Sequence, residues 1–247
     1  MPKIYLSPST QEGNLYVTGS GSEEYQMNLL ADAMEPYLDS NAIRFLRNTP
    51  EMTAASSIAE ANAAGGFDFY LSLHSNAAGP GNEGNVRGIL VFYYPGSEEG
   101  ERAAEVFAGN LRKIYPLPDL VKTLATTALG EVSRTKYPAN LLELGYHDNE
   151  SDARWIESSR DRIAQNLTLS LTEYFGLPFV DPRPAVTGTV ATNGSPLRLR
   201  SYPGTQGEVV AMIPDGAAVT VYGAANGWCT VGYNGFAGYA AEAYILT

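Results

Sequence analysis

The stretch Leu177-Pro178-Phe179-Val180-Asp181-Pro182-Arg183-Pro184-Ala185-Val186 decides how this chain can be organised. Its three prolines fix φ and remove backbone donors, so it can continue neither a helix nor a central strand. It reads as a short, stiff linker. Before it, strand-like and helix-like segments alternate; after it, helical periodicity is absent. The charge divides at the same place. The first 180 residues hold 23 acidic against 13 basic residues, and the remainder 4 against 3, within a 247-residue chain of net charge −11. The expected organisation is a domain over 1–177, a linker over 178–186 and a small domain over 187–247.

Composition narrows the function. With 44% hydrophobic and 17% charged residues, wholesale disorder is excluded. The acidic balance is wrong for clamping nucleic acid or an anionic membrane. No apolar run approaches the ~20 residues of a membrane span. The single cysteine, Cys229, permits no intrachain disulfide; in an apolar strand it is expected to be a buried, inert thiol. Met1-Pro2-Lys3 leads straight into an apolar strand without the pattern of a signal peptide. A cytoplasmic location until release, or export by another route, is expected.

In the first part, Ile4–Leu6, Ile43–Leu46, Phe67–His74, Gly88–Tyr94 and Asn140–Leu144 read as strands. Ser22–Leu38 carries Met27, Leu30, Met34 and Leu38 at helical spacing with Ser22 as cap. Thr53–Ala64, Glu98–Ile114 and Ser151–Phe175 read as further helices, the last in two pieces. This alternation predicts an α/β layer fold with a mostly parallel sheet flanked by helices. Ligand sites in such sheets lie at the carboxyl ends of the strands. In the second part, Asn226-Gly227 and Asn234-Gly235 punctuate short strands as two-residue hairpin turns, which predicts a small β-barrel.

Only two histidines are present, His74 and His147. His74 ends the Phe67–His74 strand, where an α/β enzyme places a ligand or base, and where a merely hydrogen-bonded histidine also fits. Glu143 lies inside the apolar run Leu141-Leu142-Glu143-Leu144, four residues before His147. A carboxylate there is costly unless paired or bound. Desolvation fits it for acid/base work; an ion pair with Arg134 or Lys136 is the structural alternative. Glu23 and Glu24 open the helix containing Asn28, where acids also occur simply to favour the dipole.

Read together, these pieces resemble the zinc-dependent N-acetylmuramoyl-L-alanine amidases of the type 3 family. Glu24 followed by Asn28-Leu29-Leu30-Ala31 resembles the family's ligand helix. Phe45-Leu46-Arg47 and Glu60-Ala61-Asn62 resemble its next strand end and helix. Ser72-Leu73-His74-Ser75-Asn76 resembles its histidine-ligand motif. Pro138–Tyr146 resembles the segment that carries the catalytic glutamate, and Asn149 follows it in order. The second part resembles a bacterial SH3-like (SH3b) domain in Leu197–Gly204, Asn226-Gly227-Trp228 and Gly238-Tyr239. The resemblance implies a peptidoglycan hydrolase, of autolysin or endolysin type, cutting the amide between N-acetylmuramic acid and L-alanine. It implies Glu143 as catalytic residue and Glu24 and His74 as zinc ligands. SH3b domains of this kind commonly bind cell-wall peptides, and exposed aromatic rings near Leu197–Tyr202 are the expected contact.

The family's first zinc ligand, a histidine, falls on Thr10, a poor ligand. His147 is expected to supply the missing nitrogen, because it stands where the family pattern has an apolar residue. An oxygen from Glu12 or Gln11, or a site without working zinc, are the alternatives. Arg134 is expected to hold a substrate carboxylate, with Asn76 as a second substrate contact. Loss of the metal would leave a non-catalytic wall-binding protein. A zinc carboxypeptidase is disfavoured, because no His-x-x-Glu pair ends a strand.

Overall fold

The computed structural model describes residues 1–247. The first part runs β1 (Lys3–Pro8), α1 (Glu23–Ser40), β2 (Arg44–Arg47), α2 (Ala54–Ala64), β3 (Phe69–Asn76), β4 (Ile89–Tyr93), α3 (Glu98–Leu111), β5 (Val121–Ala125), α4 (Gly130–Ser133), β6 (Ala139–Tyr146), α5 (Glu150–Ser158) and α6 (Arg160–Phe175). Ser22 Oγ accepts from the Tyr25 N–H, which caps α1. Thr53 and Ser56 form a reciprocal capping box on α2, and Gly65 ends that helix at φ 69°. Two elements were not expected from the sequence. α4 is a single turn, too short to show a period, and β5 is a largely exposed strand at a sheet edge.

The strands form one six-stranded sheet in the order β2-β1-β3-β6-β4-β5. β1/β3, β3/β6 and β4/β5 pair in parallel, and β4/β6 antiparallel. The period of two gives each face its own character. Phe69, Leu71 and Leu73 are fully buried on one face of β3, where Phe69 packs on Phe107 of α3 and Tyr174 of α6. On the other face Tyr5 and Tyr70 stack with centroids 5.1 Å apart, beneath Ile58 and Ala61 of α2 and Val132 of α4. Register then sets Ser7 beside Ser72 and His74 beside Glu143. This face thus runs from aromatic to charged along the strands.

The last part runs β7 (Val186–Val190), β8 (Leu197–Arg200), β9 (Val209–Ile213), β10 (Ala218–Ala225), β11 (Trp228–Tyr233), β12 (Phe236–Ala241) and β13 (Ile245–Leu246). They form an antiparallel sheet in the order β13-β7-β10-β11-β12-β8-β9. Asn226-Gly227 and Asn234-Gly235 have φ of 53°, 78°, 48° and 80°, the left-handed pair that two-residue hairpins require. Leu199, Ile213, Val221, Val231 and Ala240 fill the interior, and Cys229 is a buried free thiol among them. No helix of the chain is long and apolar enough to cross a membrane.

The chain gathers into two compact units, one of 3–34 with 45–174, the other of 1–2 and 35–44 with 175–247. Within the latter, Asn41 is wholly buried. Its Nδ2 donates to the Val180 carbonyl (2.9 Å) and the Tyr37 carbonyl (2.7 Å), and its Oδ1 accepts from the Val180 N–H (2.7 Å). The Tyr239 hydroxyl donates to the Asn41 carbonyl at 2.8 Å. One amide side chain therefore does for the Pro-rich stretch what a strand partner does elsewhere. Asn41→Ala leaves both backbone groups of Val180 buried without partners. It is expected to lower stability by about 2–4 kcal/mol in urea unfolding, whereas an exposed change such as Glu12→Ala stays within about 0.5 kcal/mol.

Candidate active site

The polar ends of β1, β3 and β6 open into a cleft of about 380 Å³, lined among others by Ser9, Thr10, Gln11, His74, Glu131 and Glu143. The C-terminal ends of parallel strands are where this sheet type places ligands. His74 is held from both sides. Its Nδ1 lies 2.8 Å from Glu23 Oε1, and its Nε2 lies 2.9 Å from Glu131 Oε2. Both carboxylates are buried. Asn14 Nδ2 donates to Glu23 Oε2 at 2.6 Å. Glu131 Oε1 accepts from Ser72 Oγ (2.6 Å), Ser7 Oγ (2.8 Å) and the Tyr70 hydroxyl (3.2 Å).

These contacts decide the charges. Burial opposes a charge on His74, but the hydrogen bonds that its ring donates to Glu131 and Glu23 outweigh it and hold the imidazolium well above the ordinary histidine range. Burial would raise Glu23 and Glu131 too, but His74 and the surrounding donors bring both below the usual carboxylate range. Glu143 has no such partner. Burial pushes its carboxyl up to about 7, with His74 pulling down and Glu23 and Glu131 pushing further up. Its Oε2 is buried without any hydrogen-bond partner. It makes no ion pair with Arg134 or Lys136, so the structural alternative for Glu143 is absent.

The expected ligand Glu24 does not reach His74. It is half-buried and accepts from Asn28 Nδ2 (3.2 Å) and Ser22 Oγ (3.4 Å). The neighbouring Glu23 takes the place beside His74. The helical period showed this: counting back from Leu30 and Met27 along the buried face of α1 arrives at Glu23. The other expected ligand, His147, lies beside Ser75. Its Nδ1 lies 2.8 Å from the Ser75 carbonyl, its ring stacks on Tyr16, and its backbone bonds Asn76 and Val17. It ties segments together outside the cleft. Asn76 Oδ1 accepts from the Ala77 N–H in its own turn. Arg134 is exposed just beyond α4, with its carbonyl bonded to Asn62 Nδ2. Glu131 escaped the sequence reading; its signal was an acid set in the apolar run Ala128-Leu129-Gly130-Glu131-Val132.

Nowhere do three His, Cys, Asp or Glu side chains converge as a metal set. Glu23 and His74 nonetheless offer a carboxylate oxygen and an imidazole nitrogen 2.8 Å apart. That donor chemistry, beside the unpartnered Glu143 Oε2, fits a divalent cation.

A mostly parallel α/β domain with imidazole and carboxylates at its strand ends, followed by a small β-barrel, has the layout of a hydrolase with a binding module. The chain belongs to the N-acetylmuramoyl-L-alanine amidase family, which it matches over residues 9–173, and residues 195–245 match the bacterial SH3 domain. It is 24% identical over 185 residues to the N-acetylmuramoyl-L-alanine amidase CwlM of Bacillus licheniformis, covering 72% of this chain and 70% of that protein. In fold it is similar to the CwlD amidase of Clostridioides difficile, solved with the GerS lipoprotein. The TM-score is 0.63 at 14% identity, over 71% of this chain and 99% of that one. The amidase AmiC2 of Nostoc punctiforme is similar at TM-score 0.61 and 16% identity, over 71% and 97%.

The raised Glu143 carboxyl has a consequence for stability. Between about 4.5, where the unfolded chain loses this proton, and about 7, the folded state binds more protons, so stability falls as pH rises. In protein stripped of divalent ions, Glu143→Gln removes this term. Its stability relative to wild type is expected to increase from pH 4.5 to about 7 and then level off, by roughly 1–3 kcal/mol in total. Urea titrations at four pH values measure it; a pH-independent difference would contradict the raised carboxyl.

Proposed function

We propose that this chain hydrolyses the amide between the lactyl group of N-acetylmuramic acid and the L-alanine of the peptidoglycan stem peptide, with Glu143 as general base and then general acid. Family membership supports the bond. The observation that carries the role of Glu143 is its buried carboxyl with an unpartnered Oε2 among the residues lining the cleft, where burial pushes it up to about 7. Such a group takes a proton from the attacking water and returns it to the departing alanine nitrogen without leaving the working pH range. The carbonyl carbon gains a bond to oxygen and loses its bond to nitrogen, giving a carboxylate and a free amine.

Glu23 and His74 are the residues that would hold the zinc ion implied by the family. When bound, zinc supplies Lewis-acid activation of water and of the scissile carbonyl. Glu131 fixes the His74 ring through Nε2, and the three hydroxyls on Glu131 fix that carboxylate in turn. Arg134 stands free of any carboxylate partner and suits bidentate capture of a stem-peptide carboxylate. The SH3 domain has its own cleft of about 550 Å³, where Arg198, Trp228 and Tyr244 offer a cation and two rings to a wall peptide. Action at the bacterial cell wall follows from these assignments.

A second reading, wall binding without hydrolysis, is favoured by one observation: both nitrogens of His74 are engaged by carboxylates. Digestion of purified peptidoglycan separates the two. The hydrolase releases stem peptides bearing a new N-terminal L-alanine, detected by mass spectrometry, and Glu143→Gln lowers the rate about 10²–10⁴-fold. Sedimentation with the wall and no release by wild type with added zinc would establish the second reading.

A further inference from the structure

We infer that the carboxamide of Gln11 is the third protein donor to a divalent ion held with Glu23 and His74, in the corner that the family fills with histidine. The inference rests on the metal reading above, though not on the identity of the bond cleaved. Gln11 Nε2 lies 3.5 Å from Glu23 Oε1 and 3.5 Å from His74 Nδ1, which are themselves 2.8 Å apart. Three polar heads from the β1–α1 loop, the start of α1 and the end of β3 thus form a triangle. A tetrahedral ion with bonds of about 2.0–2.2 Å spaces its ligands about 3.3–3.6 Å apart, which matches the two edges to Gln11 and requires the 2.8 Å edge between Glu23 and His74 to open.

The partners around the triangle support a cation at its centre. Glu131 Oε2 faces Nε2, so the imidazole donates there and presents Nδ1 toward Glu23, as metal-bound histidines with a carboxylate behind them do. Nδ1 and Glu23 Oε1 are joined by an ordinary hydrogen bond at 2.8 Å. Its proton fills that place in the metal-free protein, and an ion replaces it. Thr10, the residue read at the missing corner, lines the cleft without bonding to His74 or Glu23. His147 is engaged elsewhere, and Glu131 meets His74 at Nε2, on the opposite side of the ring, so the third donor on the Nδ1 side is another residue type.

A half-turn of the Gln11 amide presents its oxygen in place of its nitrogen. The turn loses the exposed 3.2 Å bond from Asn14 Nδ2 to Gln11 Oε1, while Asn14 keeps Glu23 Oε2. Two oxygens and one nitrogen make a harder set than one oxygen and two nitrogens. The preference for zinc over manganese narrows accordingly, and the ion is held less tightly than by a second imidazole.

The test uses the full chain after removal of metals. Cobalt(II) is titrated in and followed by its d–d absorption, and zinc affinity is read by competition with a chromophoric chelator. Wild type is expected to bind one ion per chain. Gln11→Ala is expected to weaken binding about tenfold or more, and Gln11→His to tighten it by a similar factor, with circular dichroism unchanged. Should Gln11→Ala unfold, Gln11→His decides the matter. Binding unchanged in the substituted proteins, binding that survives His74→Ala, or no binding by wild type would each overturn the inference. None of these outcomes depends on the wall digestion, so a failure of the amidase reading shows separately.

Discussion

A buried imidazole clamped between two carboxylates is the interaction on which the first domain depends. Glu23 comes from the start of α1, His74 from the end of β3 and Glu131 from the single turn α4. Each carboxylate alone would be too costly to bury, and so would the imidazolium. Together, with Asn14, Ser7, Ser72 and Tyr70 satisfying the remaining oxygens, they hold three distant pieces of chain at one point. Removing His74 leaves two buried carboxylates without a counter-charge, whereas removing either glutamate leaves a neutral pair.

The sheet delivers this cluster to the surface by a change of character along one face. Tyr5 stacked on Tyr70 is aromatic core, Ser7 beside Ser72 is a hydroxyl layer, and His74 beside Glu143 is charged. The parallel register of β1, β3 and β6 keeps these layers aligned, so the polar layer falls at the strand ends, where the sheet opens. Glu143 shares a register position with His74 and lacks a carboxylate or hydroxyl partner of its own. That asymmetry separates the groups that hold the site from the one free to move a proton.

The region around the linker shows the same economy. Val180 lies in a stretch whose prolines deny it strand partners, and Asn41 supplies both of the backbone bonds that Val180 would otherwise lack. In the small barrel, order comes from more local sources. Two Asn-Gly turns with positive φ set the hairpins, and alternating side chains fill the interior.

Periodicity and turn chemistry determined the parallel α/β layer, the paired helices α5 and α6, and the hairpins of the barrel. These follow from neighbours within a few residues, which is the range over which helix period, strand alternation and Asn-Gly turns act. His74 and Glu143 were legible because each interrupts an apolar strand. Glu23 was recoverable from the helical face it shares with Met27, but its adjacency to Glu24 hid it. Tertiary structure alone decided which side chains meet. His147 stands close to Glu143 in sequence and yet is drawn to Ser75 and Tyr16, whereas Glu131 lies 57 residues from His74 and touches it. A strand carries successive residues to opposite faces and a loop turns freely, so nearness in sequence says little about nearness in space. The balance of buried charges is settled only when all the strands are in register.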